Sequence, residues 1–282
     1  MRITVTGAAG LFGYGLVQVF STRHEVCGLT HAELEITDGE AVRAAFARLK
    51  PEVVVHPAGI PDIDICEAAP SKAFLVNFHG TRHVVEAARE AGAGVVYIST
   101  DAVFDGTKQS PYTESDVPKP PTVYGRTKLR GEKVVATLPN YWVFRVSVLF
   151  GPGKANFVDK IIEKLRAGEQ PIVAADQLGS ATYTIDAARK IMEVVEARRY
   201  GLYHLSNQGG CARLELAQEA ARLAGFDPNS VIGKPSDEMG RRAVRLKYAV
   251  MEMAALRQAG FELPRTWQEA VAEYIGKKKR AI

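Results

Sequence analysis

The chain has 282 residues, of which 46% are hydrophobic and 24% charged, and its formal net charge is +4. These values are ordinary for a folded globular protein and argue against a disordered chain or a nucleic-acid-binding protein. No apolar run approaches the roughly 20 residues that a membrane helix needs, so we expect no membrane association. The first strand is predicted from residue 2, without room for a signal peptide, which predicts a cytoplasmic protein.

The cysteines and histidines indicate neither a disulfide framework nor a metal site. Cys27, Cys66 and Cys211 are far apart and form no CxxC motif, and the six histidines lack metal-ligand spacing. We therefore expect reduced cysteines and no bound metal.

Residues 1–150 alternate β-strands with α-helices. Strands are predicted at 2–6, 25–29, 53–56, 94–99 and 141–146, and helices at 10–20, 71–91 and 123–138, with a further helix that ends near Leu49 and starts at a Thr37–Glu40 capping box. Strands as uniformly apolar as Val53-Val54-Val55 are typical of a parallel sheet covered by helices on both faces. The pattern predicts an α/β fold, a doubly wound parallel sheet of the Rossmann type, with residues 1–150 as a dinucleotide-binding domain.

The alternation becomes less regular after the fifth strand. Residues 101–121 form a proline-rich loop just past the fourth strand, where open α/β sheets bind ligands. Helices are then predicted at 157–167, 185–197, 214–224, 249–259 and 267–275, with short strands at 171–173 and 202–205. Residues 151–282 are predicted to form mainly a smaller α+β substrate-binding region, with some segments returning to the first domain.

A glycine-rich turn joins the first strand to the first helix. Gly7 permits a tight turn, Gly10 permits close approach of the backbone to a pyrophosphate, and Gly13 permits close packing of helix on sheet. The helix then begins at Leu11 and Phe12, where free backbone N–H groups attract phosphate. The motif predicts a dinucleotide cofactor.

The second strand ends without the carboxylate that usually selects NAD. It reads Gly28-Leu29-Thr30-His31, so Thr30 and His31 would meet the adenosine ribose, although Glu33 could still swing in. We therefore favour NADP(H), with NAD(H) as the alternative. Asp38 is predicted at the adenine end of the cofactor, and Ala58, after the third strand, is a further predicted cofactor contact.

Tyr124 and Lys128 stand four residues apart, on one face of a predicted helix. A free tyrosine has a pKa near 10, and a nearby ammonium would stabilise its phenolate. Lys128 is also predicted to hold the nicotinamide ribose. Thr100, at the end of the fourth strand, is predicted to donate a hydrogen bond to the substrate oxygen, whereas Ser99 points into the sheet. The three residues Thr100, Tyr124 and Lys128 predict proton transfer coupled to hydride transfer.

Several phrases occur in an order that resembles a known family. They are Thr6-Gly7-Ala8-Ala9-Gly10-Leu11-Phe12-Gly13, Asp64-Ile65-Cys66-Glu67, Val76-Asn77, Ser99 to Gly106, Tyr124 to Lys128, Asp176 to Gly179, Gly201 to Leu205, and Gly240-Arg241-Arg242. Over its whole length the chain resembles the extended short-chain dehydrogenase/reductases, and within them the dTDP-4-dehydrorhamnose reductase family. The resemblance implies reduction of the 4-keto group of a nucleotide-linked deoxysugar by NADPH or NADH, with Tyr124 as general acid.

The chain departs from this family mainly at positions that line the sugar pocket. Ala102 replaces a tyrosine, Val148 a tryptophan, and Ala181 and Ala243 two prolines, while Gly15 stands where some members carry a metal-binding glutamate. With Asp101, the residues Ala102, Val148 and Arg242 are the predicted substrate contacts, and Arg242 would hold a diphosphate.

Two other functions remain open. The chain also resembles the NADP-binding regulatory subunit of methionine adenosyltransferase, and Ala102-Val103-Phe104 is similar to a motif of sugar-nucleotide epimerases. A homodimer is a possible assembly. Among weaker candidates, Asp62, Asp64 and Glu67 are predicted loop or helix-cap carboxylates, Asn77 a buried bridging amide, and Arg145 a brace for its strand.

Overall fold

The structure, a computed structural model, describes residues 1–280. Its strands are β1 (Arg2–Thr6), β2 (Glu25–Leu29), β3 (Val53–His56), β4 (Gly94–Thr100), β5 (Tyr141–Val146), β6 (Leu149–Phe150), β7 (Ile172–Ala174), β8 (Leu178–Ser180), β9 (Thr182–Tyr183), β10 (Gly201–His204), β11 (Gly210–Ala212), β12 (Ile232–Lys234) and β13 (Tyr248–Ala249). Its α-helices are α1 (Leu11–Phe20), α2 (Gly39–Leu49), α3 (Ile63–Ala68), α4 (Pro70–Phe74), α5 (Thr81–Glu90), α6 (Val123–Val135), α7 (Phe157–Arg166), α8 (Thr184–Glu196), α9 (Arg213–Ala224), α10 (Ala254–Gln258) and α11 (Trp267–Arg280).

Six parallel strands form the main sheet in the order β10-β5-β4-β3-β1-β2. The chain runs from β1 to β2 on one side and then to β3 on the other, so the connections after β1 and β3 diverge at the carboxyl end of the sheet. Such a point opens a crevice in which α/β proteins bind ligands. The predicted doubly wound α/β fold is confirmed.

The sheet separates two hydrophobic cores, because successive strand residues point to opposite faces. On β4, Val96 and Ile98 pack with Phe12 and Leu16 of α1 on one face. Tyr97 joins the other core, with residues of α2 and α5. Burial on both faces explains why the strand sequences are almost continuously apolar.

The predicted capping box at Thr37 is wrong. Thr37 donates both its N–H and its hydroxyl to Glu35, at 2.9 Å each. Asp38 is the cap of α2 instead, because its carboxylate accepts from the backbone N–H groups of Glu40 and Ala41 at 3.0 Å. Aspartate can cap a helix as well as threonine does, and local spacing alone did not distinguish the two.

The predicted helix over residues 71–91 is interrupted. Helix α4 passes through a π-helical segment, Leu75–Gly80, before α5 begins, and the separate short helix α3 precedes it. Asn77 lies inside the π segment and bonds the backbone of Ile60 and the Thr127 hydroxyl. These tertiary bonds favour the wider turn, as often happens near functional sites.

The C-terminal half contains small sheets that the sequence did not reveal. They have the orders β11-β8-β13, β12-β7 and β6-β9. The predicted helix 249–259 is shorter, since Tyr248 and Ala249 pair with β8 and only α10 is helical. Strand β10 lies at the edge of the main sheet, and the division into domains at residue 150 stays a prediction. Within residues 1–280, no helix is both long and apolar enough to cross a membrane.

Candidate active site

The glycine turn brings β1, α1 and the residues after β3 into contact. Gly7 has a φ of +62°, and a Cβ there would lie 2.9 Å from the Cα of Ala58. A Cβ on Gly13 would lie 2.1 Å from the Gly7 carbonyl oxygen. The N-cap of α1 is Gly10, without a side-chain cap, so the first backbone N–H groups remain for an anionic ligand. Only a turn free of side chains leaves this space, which fits a pyrophosphate.

Leu11 and Phe12 begin the helix at this turn. Phe12 is buried in the core, so only its backbone is placed to meet a cofactor, whereas Leu11 is half-buried. Asp38 uses one carboxylate oxygen to cap α2. The predicted contacts of Leu11, Phe12, Asp38 and Ala58 with a cofactor stay predictions.

The end of β2 carries a carboxylate that the sequence left uncertain. Glu33 accepts from the N–H and the hydroxyl of Thr30, at 2.8 Å each. His31 is exposed and lies 3.4 Å from Glu35. The Thr30 hydroxyl is therefore already engaged, whereas His31 extends into solvent, and the predicted contacts of both residues with the adenosine ribose stay predictions.

Thr100, Tyr124 and Lys128 meet at the carboxyl end of β4. Thr100 ends that strand, and α6 begins one residue before Tyr124, where the Thr122 hydroxyl caps the Gly125 N–H. Tyr124 is half-buried, and burial raises its pKa well above the ordinary value while hydrogen bonding with Thr100 opposes the rise. Tyr124 is therefore protonated at neutral pH, as a proton donor must be.

The hydroxyl of Thr100 points differently from the prediction. It donates to Asp101 at 2.9 Å and accepts from the Ala102 N–H at 3.1 Å. Ser147 donates to the other oxygen of Asp101 in a short hydrogen bond. Because a hydroxyl has one proton, Thr100 in this arrangement can only accept from Tyr124 and does not donate toward a substrate oxygen.

Lys128 is almost fully buried, with 6% of the residue exposed. Burial lowers its pKa to about 7, and Glu132 opposes the change. Its Nζ lies 4.0 Å from the ring centroid of Tyr97. The predicted stabilisation of the Tyr124 phenolate by Lys128 stays a prediction.

A buried ion pair fixes α6 on the sheet. Arg145 of β5 donates to both carboxylate oxygens of Glu132, at 2.9 and 2.8 Å, and Ser99 donates to the first of them at 2.5 Å. Ser99 therefore points into the sheet and Arg145 braces the strand, as the sequence predicted. The role of Glu132 was not predicted, although its position one helical turn beyond Lys128 was a usable signal.

Acidic and amide side chains hold the start of α3 and the start of α6. Asp62 accepts from the Ile65 N–H at 2.9 Å, and Glu67 accepts from the Val123 N–H at 2.6 Å. Asn77 bridges Ile60 and Thr127 behind the site. The bridging role predicted for Asn77 and the cap roles predicted for Asp62 and Glu67 are present in the structure.

Residues 240–247, which we call the arginine segment, pack against α3. Asp64 ties this segment to α3, because its carboxylate accepts from Arg245 at 2.6 and 3.2 Å and from the Ala243 N–H at 2.8 Å. Arg241 makes one long hydrogen bond, 3.4 Å to Gln177, and Arg242 is exposed. The predicted contact of Arg242 with a diphosphate stays a prediction.

Arg213 is a cation that the sequence analysis missed. It starts α9 and lies over the ring of Phe157, 5.5 Å from the centroid, and its guanidinium has no hydrogen-bond or ion-pair partner in the described part of the chain. Burial lowers its pKa, and the nearby carboxylate of Asp101 opposes the change. Only the fold shows that this arginine lies near Asp101.

The predicted sugar-pocket residues lie at the same edge of the sheet. Ala102 follows Thr100 in a short 3₁₀ turn and is buried, and Val148 follows β5, whose end pairs with Thr100. Gly15 of α1 packs against Thr184 instead, since a Cβ there would lie 3.2 Å from that side chain. Among residues 1–280 no group of three or more His, Cys, Asp or Glu side chains could hold a metal ion.

Comparisons with known proteins agree over nearly the whole chain. The family model described as the RmlD substrate binding domain matches residues 1–280. A dTDP-4-dehydrorhamnose reductase of Streptomyces griseus is 39% identical over 281 residues, covering 96% of this chain and 92% of that protein. The spore coat polysaccharide biosynthesis protein SpsK of Bacillus subtilis (strain 168) is 33% identical over 282 residues, covering 99% of each.

Solved structures give the same result. The dTDP-4-dehydrorhamnose reductase of Bacillus anthracis str. Ames, in complex with NADP, is similar with a TM-score of 0.94 at 32% identity, covering 98% of this chain and 99% of that one. A UDP-glucose 4-epimerase of Thermus thermophilus has a TM-score of 0.88 at 21% identity over 100% of both chains, which shows a shared fold alone. The chain therefore belongs to the RmlD family, the dTDP-4-dehydrorhamnose reductases, and is an oxidoreductase of the short-chain dehydrogenase/reductase type, as its motifs predicted.

Proposed function

We propose that the chain uses NADPH to reduce the 4-keto group of a dTDP-linked 6-deoxysugar, with Tyr124 as the general acid. The observation that carries this proposal is the convergence of Tyr124 and Thr100 at the crevice beside the glycine turn. Relatives with 39% and 36% identity are named dTDP-4-dehydrorhamnose reductase and dTDP-4-keto-6-deoxy-D-glucose reductase.

The cofactor would lie across the carboxyl ends of β1 and β2. Gly7, Gly10 and Gly13 leave room for its pyrophosphate, and the backbone of α1 supplies N–H donors. His31, exposed after β2, would meet a 2′-phosphate. The relative solved with NADP favours NADP(H) over NAD(H). When bound, the dihydronicotinamide supplies the hydride.

Tyr124 transfers its proton to the keto oxygen while the keto carbon accepts the hydride, so the C=O group becomes an alcohol and the nicotinamide is oxidised. Its raised pKa keeps the proton on the phenol oxygen until the developing alkoxide takes it. Thr100 orients the Tyr124 hydroxyl, and Asp101 orients Thr100. Lys128 holds the nicotinamide ribose and stabilises the phenolate that remains.

The diphosphate of the substrate would bind the arginines on the other side of the crevice. Arg213 lacks a protein partner among residues 1–280, and a half-buried guanidinium without an anion is costly. The charge of Arg241 lowers the pKa of Arg213 further. We place the diphosphate between Arg213 and Arg241, with Arg242 at the rim, because guanidinium groups bind phosphate oxygens bidentately.

The test is NADPH oxidation with a dTDP-4-keto-6-deoxysugar, in wild type, Tyr124→Phe and the control Tyr203→Phe. Tyr203 lies on β10, outside the site, and its hydroxyl donates to the Arg199 carbonyl. Tyr124→Phe should bind NADPH as wild type does yet lose turnover by at least about 100-fold. Retained turnover would remove Tyr124 from the mechanism. Tight NADPH binding with no turnover in any chain, and co-purification with a methionine adenosyltransferase, would favour a regulatory subunit.

A further inference from the structure

The ring of Tyr97 lies directly under the ammonium group of Lys128. Its centroid is 4.0 Å from Nζ, the shortest of the cation–ring distances in residues 1–280. Tyr97 lies on β4, three residues before Thr100, and is fully buried. A cation over an aromatic face is stabilised by the ring quadrupole, most strongly where water is excluded.

The other groups around Lys128 leave this ring as its direct partner. The titratable groups that face it from the packed elements are Tyr124 and Glu132 on α6, Cys66 on α3, His56 on β3 and Tyr97 on β4. The Lys128 Nζ makes no hydrogen bond with any residue that the structure describes. The ammonium therefore depends on the Tyr97 ring and on the charge of Glu132.

Two polar groups near Lys128, Glu132 and His56, are already engaged. Both carboxylate oxygens of Glu132 accept from Arg145. His56 is bonded through one ring nitrogen to Thr6 at 2.7 Å and through the other to Thr81 at 3.1 Å. Burial lowers the pKa of His56 to about 3, so the imidazole is neutral and adds no charge at neutral pH.

The packing of α6 leaves space for the ring at this place. A Cβ on Gly131 would lie 2.2 Å from the Tyr97 hydroxyl oxygen, so only glycine allows the helix to approach. That hydroxyl is buried near Thr81 and makes no hydrogen bond of good geometry among residues 1–280. The ring is therefore the part of Tyr97 that contacts Lys128.

We propose that Tyr97 is a positioning residue for Lys128: its ring face fixes the ammonium group at the site and keeps it charged. The inference rests on the proposed function of Lys128 as the cation that holds the nicotinamide ribose. A ring supplies attraction without a hydrogen bond, so Lys128 keeps its N–H donors for the ribose and for the Tyr124 oxygen.

The test changes the electrostatics of the ring while preserving its shape. Tyr97→Phe is compared with chains that carry 4-fluoro-, 3,5-difluoro- and 3,4,5-trifluorophenylalanine at position 97, because each fluorine weakens the negative ring face. The pKa of Lys128 is measured by NMR titration of the full chain with lysine labelled with ¹³C at Cε, and Lys128→Met assigns the signal. Unfolding midpoints report any structural effect.

We expect Tyr97→Phe to titrate as wild type does, and the pKa of Lys128 to fall with each added fluorine, by about one pH unit over the series. The basic limb of the pH profile of kcat/KM should move by the same amount. An unchanged pKa across the series would overturn the proposal, as would a pKa that follows the unfolding midpoint. The fall of the Lys128 pKa with added fluorine can be measured without turnover. If that fall is seen but no sugar is reduced, the proposed function is contradicted and the role of Tyr97 is not.

Discussion

The catalytic helix and the arginine segment lie on two sides of one crevice and are held by different interactions. Helix α6 is joined to the sheet by Glu132 and Arg145, whose side chains are 6% and 4% exposed. The arginine segment is joined to α3 by Asp64 and Arg245, whose side chains are 37% and 19% exposed. The helix that carries the proposed general acid is thus held by a buried contact, whereas the segment proposed to bind substrate is held by a contact that water reaches. Substitutions in the arginine segment should change substrate specificity with little loss of folding stability.

The largest effect is expected from breaking the buried pair. Glu132→Ala leaves Arg145 buried without its anion, which should lower the free energy of unfolding by about 3–5 kcal/mol. The matched control is Glu219→Ala on α9, whose partner Arg222 is exposed, with an expected loss of about 1 kcal/mol or less. Denaturant titration measures both, and equal losses would contradict the distinction between the two kinds of contact.

The next effect is a pH dependence of stability that arises from Lys128. Its folded pKa of about 7 lies below the ordinary lysine value of 10.5, so between these values the unfolded chain binds the extra proton. Stability should therefore rise with pH in this window, by on the order of 2 kcal/mol between pH 7 and 9. Lys128→Met should lack that rise. Parallel curves for the two chains would show that Lys128 titrates normally.

A smaller effect is expected from releasing the arginine segment. Arg245→Met removes the ion pair with Asp64, so Arg241 and Arg242 lose their fixed position. We expect the KM for the sugar nucleotide to rise about tenfold, which corresponds to about 1.4 kcal/mol. NADPH affinity and kcat should remain near wild type. Loss of kcat with an unchanged KM would contradict this prediction, because it would indicate that Arg245 acts in the chemical step rather than in substrate binding.

The sequence predicted the framework of the site better than the contacts within it. The strands β1 to β5 and the placement of Tyr124 near Thr100 followed from periodicity and from the chain order of short motifs. Arg213 and Tyr97 did not, because one begins an ordinary helix and the other lies in an apolar strand. Their roles depend on which distant side chain the fold brings near, and local spacing does not encode that.

The polar orientations were the least predictable feature. The sequence placed Thr100 at the site and predicted that its hydroxyl donates a hydrogen bond to the substrate. In the structure, that hydroxyl donates to Asp101. Nor did the sequence indicate that the ammonium of Lys128 lies over the ring of Tyr97. Several possible partners lie within about 4 Å of each of these polar groups. The residue types alone do not decide which partner each group contacts.

The most direct test of the account follows the hydride itself. The chain would be given dTDP-4-keto-6-deoxyglucose with NADPH deuterated at nicotinamide C4, in both the R and S forms. The account predicts a 4-hydroxy sugar that carries one deuterium at C4 from one of the two forms, seen as a mass increase of about 1 Da and a missing H4 signal. A product without deuterium at C4 from either form, or an epimerised sugar with no NADPH consumed, would contradict it.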